Sequence, residues 1–175
     1  RLTAQAPVSS EEFGRGIATG GDWLAVGAWR ADDAGEMSGR VDLFIRTSSG
    51  WVFDQSLEPS SEPVNAGYGR TIDMTADGAF LVVGAPQDDQ IGADAGAVYV
   101  YRRSNDMWVE ETKLVAADGL ANDRFGRAIS IGGTLLAVGA PDRTSDASGT
   151  VYLFERVDGT WTFDERIEAA DQGSN

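Results

Sequence analysis

Carboxylates dominate the reactive side chains: 28 Asp and Glu stand against 14 Lys and Arg, with no His and no Cys, for a net charge of −14 over 175 residues. Without His or Cys the common nucleophile–base pairs cannot be assembled. Two facing carboxylates suffice for glycoside hydrolysis, but no Asp or Glu stands out from the rest. The expectation is a protein that is not an enzyme.

Binding chemistry is the better prospect. Acidic residues gather in three loops that each follow a Gly-Ala pair: Asp32, Asp33 and Glu36; Asp88, Asp89 and Asp94; Asp142 and Asp146. Asp and Gly favour solvated turns, and loops on a rigid scaffold are also where binding sits. These loops are therefore either plain turns or a rim that takes cations or a basic partner. Trp29, in the first of them, is the aromatic best placed to meet a ligand, because the other two loops have proline there.

Against this acidity, Arg15, Arg70 and Arg127 each follow an aromatic–glycine pair: Phe13-Gly14, Tyr68-Gly69 and Phe125-Gly126. A guanidinium offers five donors, enough to tie neighbouring strands through Glu11 or Asp123. The other reading is a ring of positive charge ready for an anion. Structural pairing is favoured, with Arg127→Ala expected to lower the melting temperature.

The charge balance excludes several partners. Nucleic-acid binding rests on clustered Lys and Arg, and an anionic membrane surface likewise attracts basic residues. No apolar run approaches the roughly 20 residues of a membrane-spanning helix, so neither nucleic acid nor membrane insertion is expected. The absence of Cys removes a disulfide framework. The N-terminal "RLTAQAPVSS" has no signal-peptide hydrophobic stretch, so export would rest on a signal outside these residues.

The elements that must position these residues are repeated. The aromatic–glycine pairs lie 55 and 57 residues apart. Gly27-Ala28, Gly84-Ala85 and Gly139-Ala140 keep step with them, as do Gly39, Gly96 and Gly149, and Trp51, Trp108 and Trp161. Each copy reads as four strands rich in β-branched and aromatic residues, separated by Gly-Gly, Asp-Gly or Ser-Gly turns. In "VYVY" (98–101) and "VYLF" (151–154) alternate positions are all apolar, which predicts strands buried on both faces. The fold class is all-β, three four-stranded antiparallel blades of a β-propeller. Trp51, Trp108 and Trp161 are expected to pack between blades, and Trp23 to share a core position with Phe80 and Leu135. Asp42 interrupts the first copy, so either that face is partly exposed or Asp42 is paired.

Aromatic-Gly, Gly-Ala-Pro, "GAVYVY" and a Trp before "KL" together resemble the FG-GAP repeat of integrin α-chain propellers and many bacterial surface proteins. The resemblance implies a β-propeller in an extracellular or cell-surface interaction or adhesion role, without naming a ligand. Members often carry a calcium loop between the first two strands. Here only Asp73, Thr75 and Asp77, before Gly78, approximate it. Calcium wants six or more oxygens and a late carboxylate, and Leu81 stands at the ninth position. An ordinary hairpin and no cofactor are expected.

The blades are read as residues 11–66, 67–122 and 123–175, with 1–10 ending a preceding blade. Propellers typically close with 4–8 blades. Three therefore imply a fragment of a longer propeller, or copies that complete one another as a homo-oligomer. The functional expectation is a binding module acting through its rim loops on a protein partner. The alternatives are a building block that self-assembles into rings or filaments through open blade ends and, less favoured, a propeller glycosidase.

Overall fold

The computed structural model describes residues 11–32, 36–61, 64–142 and 149–168, and among them every regular element is a strand. The first blade comprises β1 (Ile17–Gly20), β2 (Trp23–Ala28), β3 (Arg40–Thr47) and β4 (Gly50–Leu57). The second comprises β5 (Thr71–Met74), β6 (Phe80–Ala85), β7 (Ala97–Ser104) and β8 (Met107–Leu114). The third comprises β9 (Ala128–Gly132), β10 (Leu135–Ala140), β11 (Thr150–Val157) and β12 (Thr160–Glu168). Each is a four-stranded antiparallel meander in sequence order. The sheets stack face to face, with the short strands β1, β5 and β9 side by side along an inner edge.

Stacking is the main source of burial. Between the first two blades lie Trp23, Val41, Leu43, Tyr68, Leu81, Val83, Tyr99, Tyr101 and Trp108. Between the second and third lie Val82, Val98, Val100, Phe125, Leu136, Val138, Tyr152, Phe154 and Trp161. β7 is buried on both faces, as "VYVY" predicts. β11 is not: Tyr152 and Phe154 face the second blade, while Val151 and Leu153 lie on a face that no described residue covers well. The expectation for "VYLF" is corrected accordingly, since among the described residues only one face of that strand has a neighbouring blade.

Glycine placement explains the repeated motif. The Gly69 N–H bonds the Gly84 carbonyl in its own blade (3.1 Å), and Gly126 bonds Gly139 likewise (3.1 Å). The carbonyls of the same aromatic–glycine pairs press on the preceding blade. A Cβ on Gly27 would sit 2.0 Å from the Gly69 oxygen, and one on Gly84 2.3 Å from the Gly126 oxygen. Any side chain there would separate the blades.

Each blade carries a β-bulge at one place, between Leu43 and Phe44, Val100 and Tyr101, and Leu153 and Phe154. The residue left over on the fourth strand is acidic each time: Asp54, Glu111 and Asp164. A bulge re-aims the extra side chain. Glu111 is thereby turned onto the third blade, where it accepts from Arg156 Nη2 (2.7 Å), Arg156 Nε (3.2 Å) and Trp161 Nε1 (3.0 Å).

Asp42 is fully buried and paired. It accepts from Arg40 Nε (2.9 Å) and Ser56 Oγ (2.8 Å), and Arg40 also reaches Glu11 at 2.9 Å. A buried carboxylate is tolerable when charge and hydrogen bonds compensate it.

Candidate functional site

The loops entering β1, β5 and β9 and those leaving β2, β6 and β10 share one edge of the stack. The chain must turn sharply there, which the positive φ of Gly14, Gly69 and Gly126 permits. The residue after each glycine is the repeated arginine, so three guanidinium groups emerge from equivalent corners. A cleft of about 320 Å³ opens beside Arg15 and Arg70, lined by Arg15, Gly16 and Ile17 of the first blade, Arg70, Thr71 and Ile72 of the second, and Ala128 and Ile129 of the third. The Arg127 side chain leaves from the residue before Ala128.

These arginines are not the inter-strand ties expected from sequence. Arg15 and Arg127 are exposed. Glu11, the proposed partner of Arg15, forms its close ion pair with Arg40. Asp123 accepts the Leu120 N–H at 2.9 Å, which fixes its own loop. Arg70, half-buried, reaches Gln87 Oε1 at 3.3 Å. Arg127 stands 3.8 Å from Asp142, a carboxylate that Arg124 holds more closely at 3.0 Å. Burial, and then the charges of Arg127, Arg15 and Arg124, hold Arg70 below the usual guanidinium range.

Trp29 joins this edge. Its ring is half-buried, with the Arg30 guanidinium 4.5 Å and the Arg70 guanidinium 4.9 Å from its centroid. The indole N–H donates to Glu12 Oε2 at 2.9 Å, and Glu12 also pairs with Arg30 at 3.3 Å. The residue that departs from the repeat is thus packed beside one of the arginines that keep to it.

The acidic loops serve several tasks. Asp32 accepts the Met37 N–H and Asp89 the Asp94 N–H, each at 2.7 Å. They occupy equivalent positions and staple equivalent turns. Asp88 is buried rather than on a solvated rim: it takes Lys113 Nζ (2.8 Å), Tyr99 Oη (3.2 Å) and the Gln90 N–H (3.1 Å). Asp33 and Asp146 lie outside the described residues.

The Asp73–Gly78 segment is a hydrogen-bonded hairpin. Asp73 Oδ2 accepts the Ile131 N–H of the third blade at 2.7 Å, and Asp77 Oδ1 takes the Thr75 hydroxyl at 2.7 Å. Its polar atoms are spent on the turn and on the next blade.

Sequence reasoning missed Arg124, Gln87 and Glu12. None recurs in the other copies, so no repeat signal marked them; only the fold gathers them around the arginines.

The landmarks of this geometry coincide with a known repeat. The model of the FG-GAP repeat matches residues 1–44, 51–101 and 108–154. Comparison with the curated proteins gave no match.

Proposed function

Because the chain belongs to the FG-GAP repeat family, we propose that it is a propeller-type interaction module, acting outside the cell or at its surface, that binds a protein partner without covalent chemistry. The binding edge is the one carrying the acidic loops, Trp29 and the three repeated arginines. The observation that carries this reading is that Arg15 and Arg70 line one cleft at this loop edge, with Trp29 packed against Arg70, on a scaffold of sheets that holds the loops in place. A fluorescent form of the chain, applied to an array of extracellular matrix and cell-surface proteins, tests it. Selective capture is expected, lost in a Trp29→Ala, Arg70→Gln variant and kept in Arg46→Gln, whose ion pair with Asp22 lies in an exposed hairpin. Capture that ignores the first variant would move the site elsewhere.

A second reading, assembly of copies through blade faces, draws on a different observation. On the third blade Leu135, Val151 and Ile167 are exposed, where their counterparts on the second blade pack against a neighbour. A Cβ on Gly139 meets, among the described residues, only its own blade's Ala128. Phe13 is 36% exposed, whereas Tyr68 and Phe125 are fully buried. The Phe13–Gly14 corner of one copy therefore suits the open face of another, a head-to-tail contact. Light scattering is expected to show association that Gly139→Val weakens; a monomer at every concentration would dismiss this reading.

A further inference from the structure

We propose that Arg15, Arg70 and Arg127 form a binding site for a tetrahedral oxyanion, a sulfate or phosphate group either free or as a monoester. This rests on the interaction-module reading and adds the ligand's chemistry to it.

The first ground is that the fold makes little use of these side chains. They hold one position in three blades, yet their surroundings differ. Among the described residues Arg15 makes no ion pair, Arg70 has a 3.3 Å contact with Gln87 and lies over the Trp29 ring at 4.9 Å, and Arg127 has a 3.8 Å contact with an aspartate already taken by Arg124. A side chain kept for packing or pairing would meet the same kind of partner each time, as Gly27 and Gly84 each meet the aromatic–glycine carbonyl of the next blade.

The second ground is electrostatic. In a chain of net charge −14, Arg15 and Arg70 line one cleft, and Arg127 and Arg124 stand close enough to add to the field on Arg70. The nearby acids offset them only in part, because Glu12 is shared with Trp29 and Arg30 and Asp142 with Arg124. Like charges at a half-buried position are costly, and a bound anion converts that cost into attraction. Half-buried Ile72 and Ile129 line the cleft beside Arg70, and apolar walls of this kind strengthen charge–charge interaction next to them.

The third ground is geometric. The guanidinium forks come from three separate blades, and each presents paired donors. A carboxylate has two oxygens in one plane, which suits one fork. A sulfate or phosphate presents oxygens in three or four directions, which suits donors that arrive from separate blades.

Isothermal titration at low ionic strength with sodium sulfate, sodium phosphate and phenyl phosphate tests the assignment. Saturable binding of at least one probe is expected, weakened about tenfold or more by Arg70→Gln and by Arg15→Gln, losses typical of charge-assisted hydrogen bonds, and unchanged by Arg46→Gln. Arg15 is exposed and unpaired among the described residues, so its variant separates lost binding from lost folding. Tighter binding of phenyl phosphate assigns the site to esterified groups, and tighter binding of the inorganic ions assigns it to free anions. Both support the proposal. No saturable binding by any probe overturns it, as does binding that both arginine variants retain. Either failure, beside array capture that still depends on Trp29, would remove the oxyanion while leaving the interaction module standing.

Discussion

Trp23 of the first blade and Trp108 of the second meet edge to face, their ring centroids 5.6 Å apart. Phe80 and Trp161 repeat the contact one blade on, at 5.8 Å. The second strand of each blade supplies one ring and the fourth strand of the next supplies the other. Leu135, next in the series, is exposed. Trp108→Ala should therefore cost about 3–5 kcal/mol, the range for removing a large aromatic from a core. Leu135→Ala should stay within about 1 kcal/mol, as surface changes do. Urea denaturation of the two variants reads the contrast.

Glycines give a similar contrast at the other end of the second strand. Gly84→Ala drives a methyl into the Gly126 carbonyl, and Gly27→Ala into that of Gly69. Each is expected to destabilise by about 1–3 kcal/mol or more, the cost of overpacking. Gly139→Ala meets the Ala128 Cβ at 3.2 Å, a contact within one sheet that can shift. Thermal melts should rank it nearest to the parent chain.

Much of the architecture was legible in the sequence because repetition exposes packing rules. A residue that touches the next blade must recur in every copy, so the glycines, tryptophans and both-faces-apolar third strands stood out. Contacts that belong to one copy were hidden. Asp42 read as an anomaly because its partners, Arg40 on the same strand and Ser56 directly across the hairpin, have no counterparts in the other two copies. Asp88 read as one more rim carboxylate, although Lys113 and the Tyr99 hydroxyl bury it. The arginines show the limit from the other side: their spacing was plain, but only the sheets' stacking shows that Arg15 and Arg70 line a cleft and that Arg127 stands near Asp142.

The bulge at Glu111 links stability to pH. Burial would raise its pKa, but the hydrogen bonds and charge of Arg156, with Trp161 and Arg102, outweigh that and hold the carboxyl below the ordinary glutamate value of 4.5. The folded state therefore takes up this proton less readily than the unfolded chain. The stabilisation is complete above the unfolded value and is lost as pH falls through the lower folded value. Melting temperatures measured from neutral pH down to about pH 3 should fall less steeply for Glu111→Gln than for the parent chain across that window. Parallel curves would mean that the Arg156 contact contributes nothing.

The central claim is that the arginine repeated in all three blades serves recognition rather than folding. It is tested most directly by the melting temperature of the Arg15→Gln, Arg70→Gln, Arg127→Gln variant in low-salt buffer without sulfate or phosphate. Replacing exposed Arg15 and Arg127 should cost about 0.5 kcal/mol or less each. Relief of like-charge repulsion should offset the loss of the Arg70 contacts with Gln87 and Trp29, so the variant should stay within about 2 °C of the parent chain or above it. A fall of about 5 °C or more would show that these side chains hold the blades together and contradict the claim.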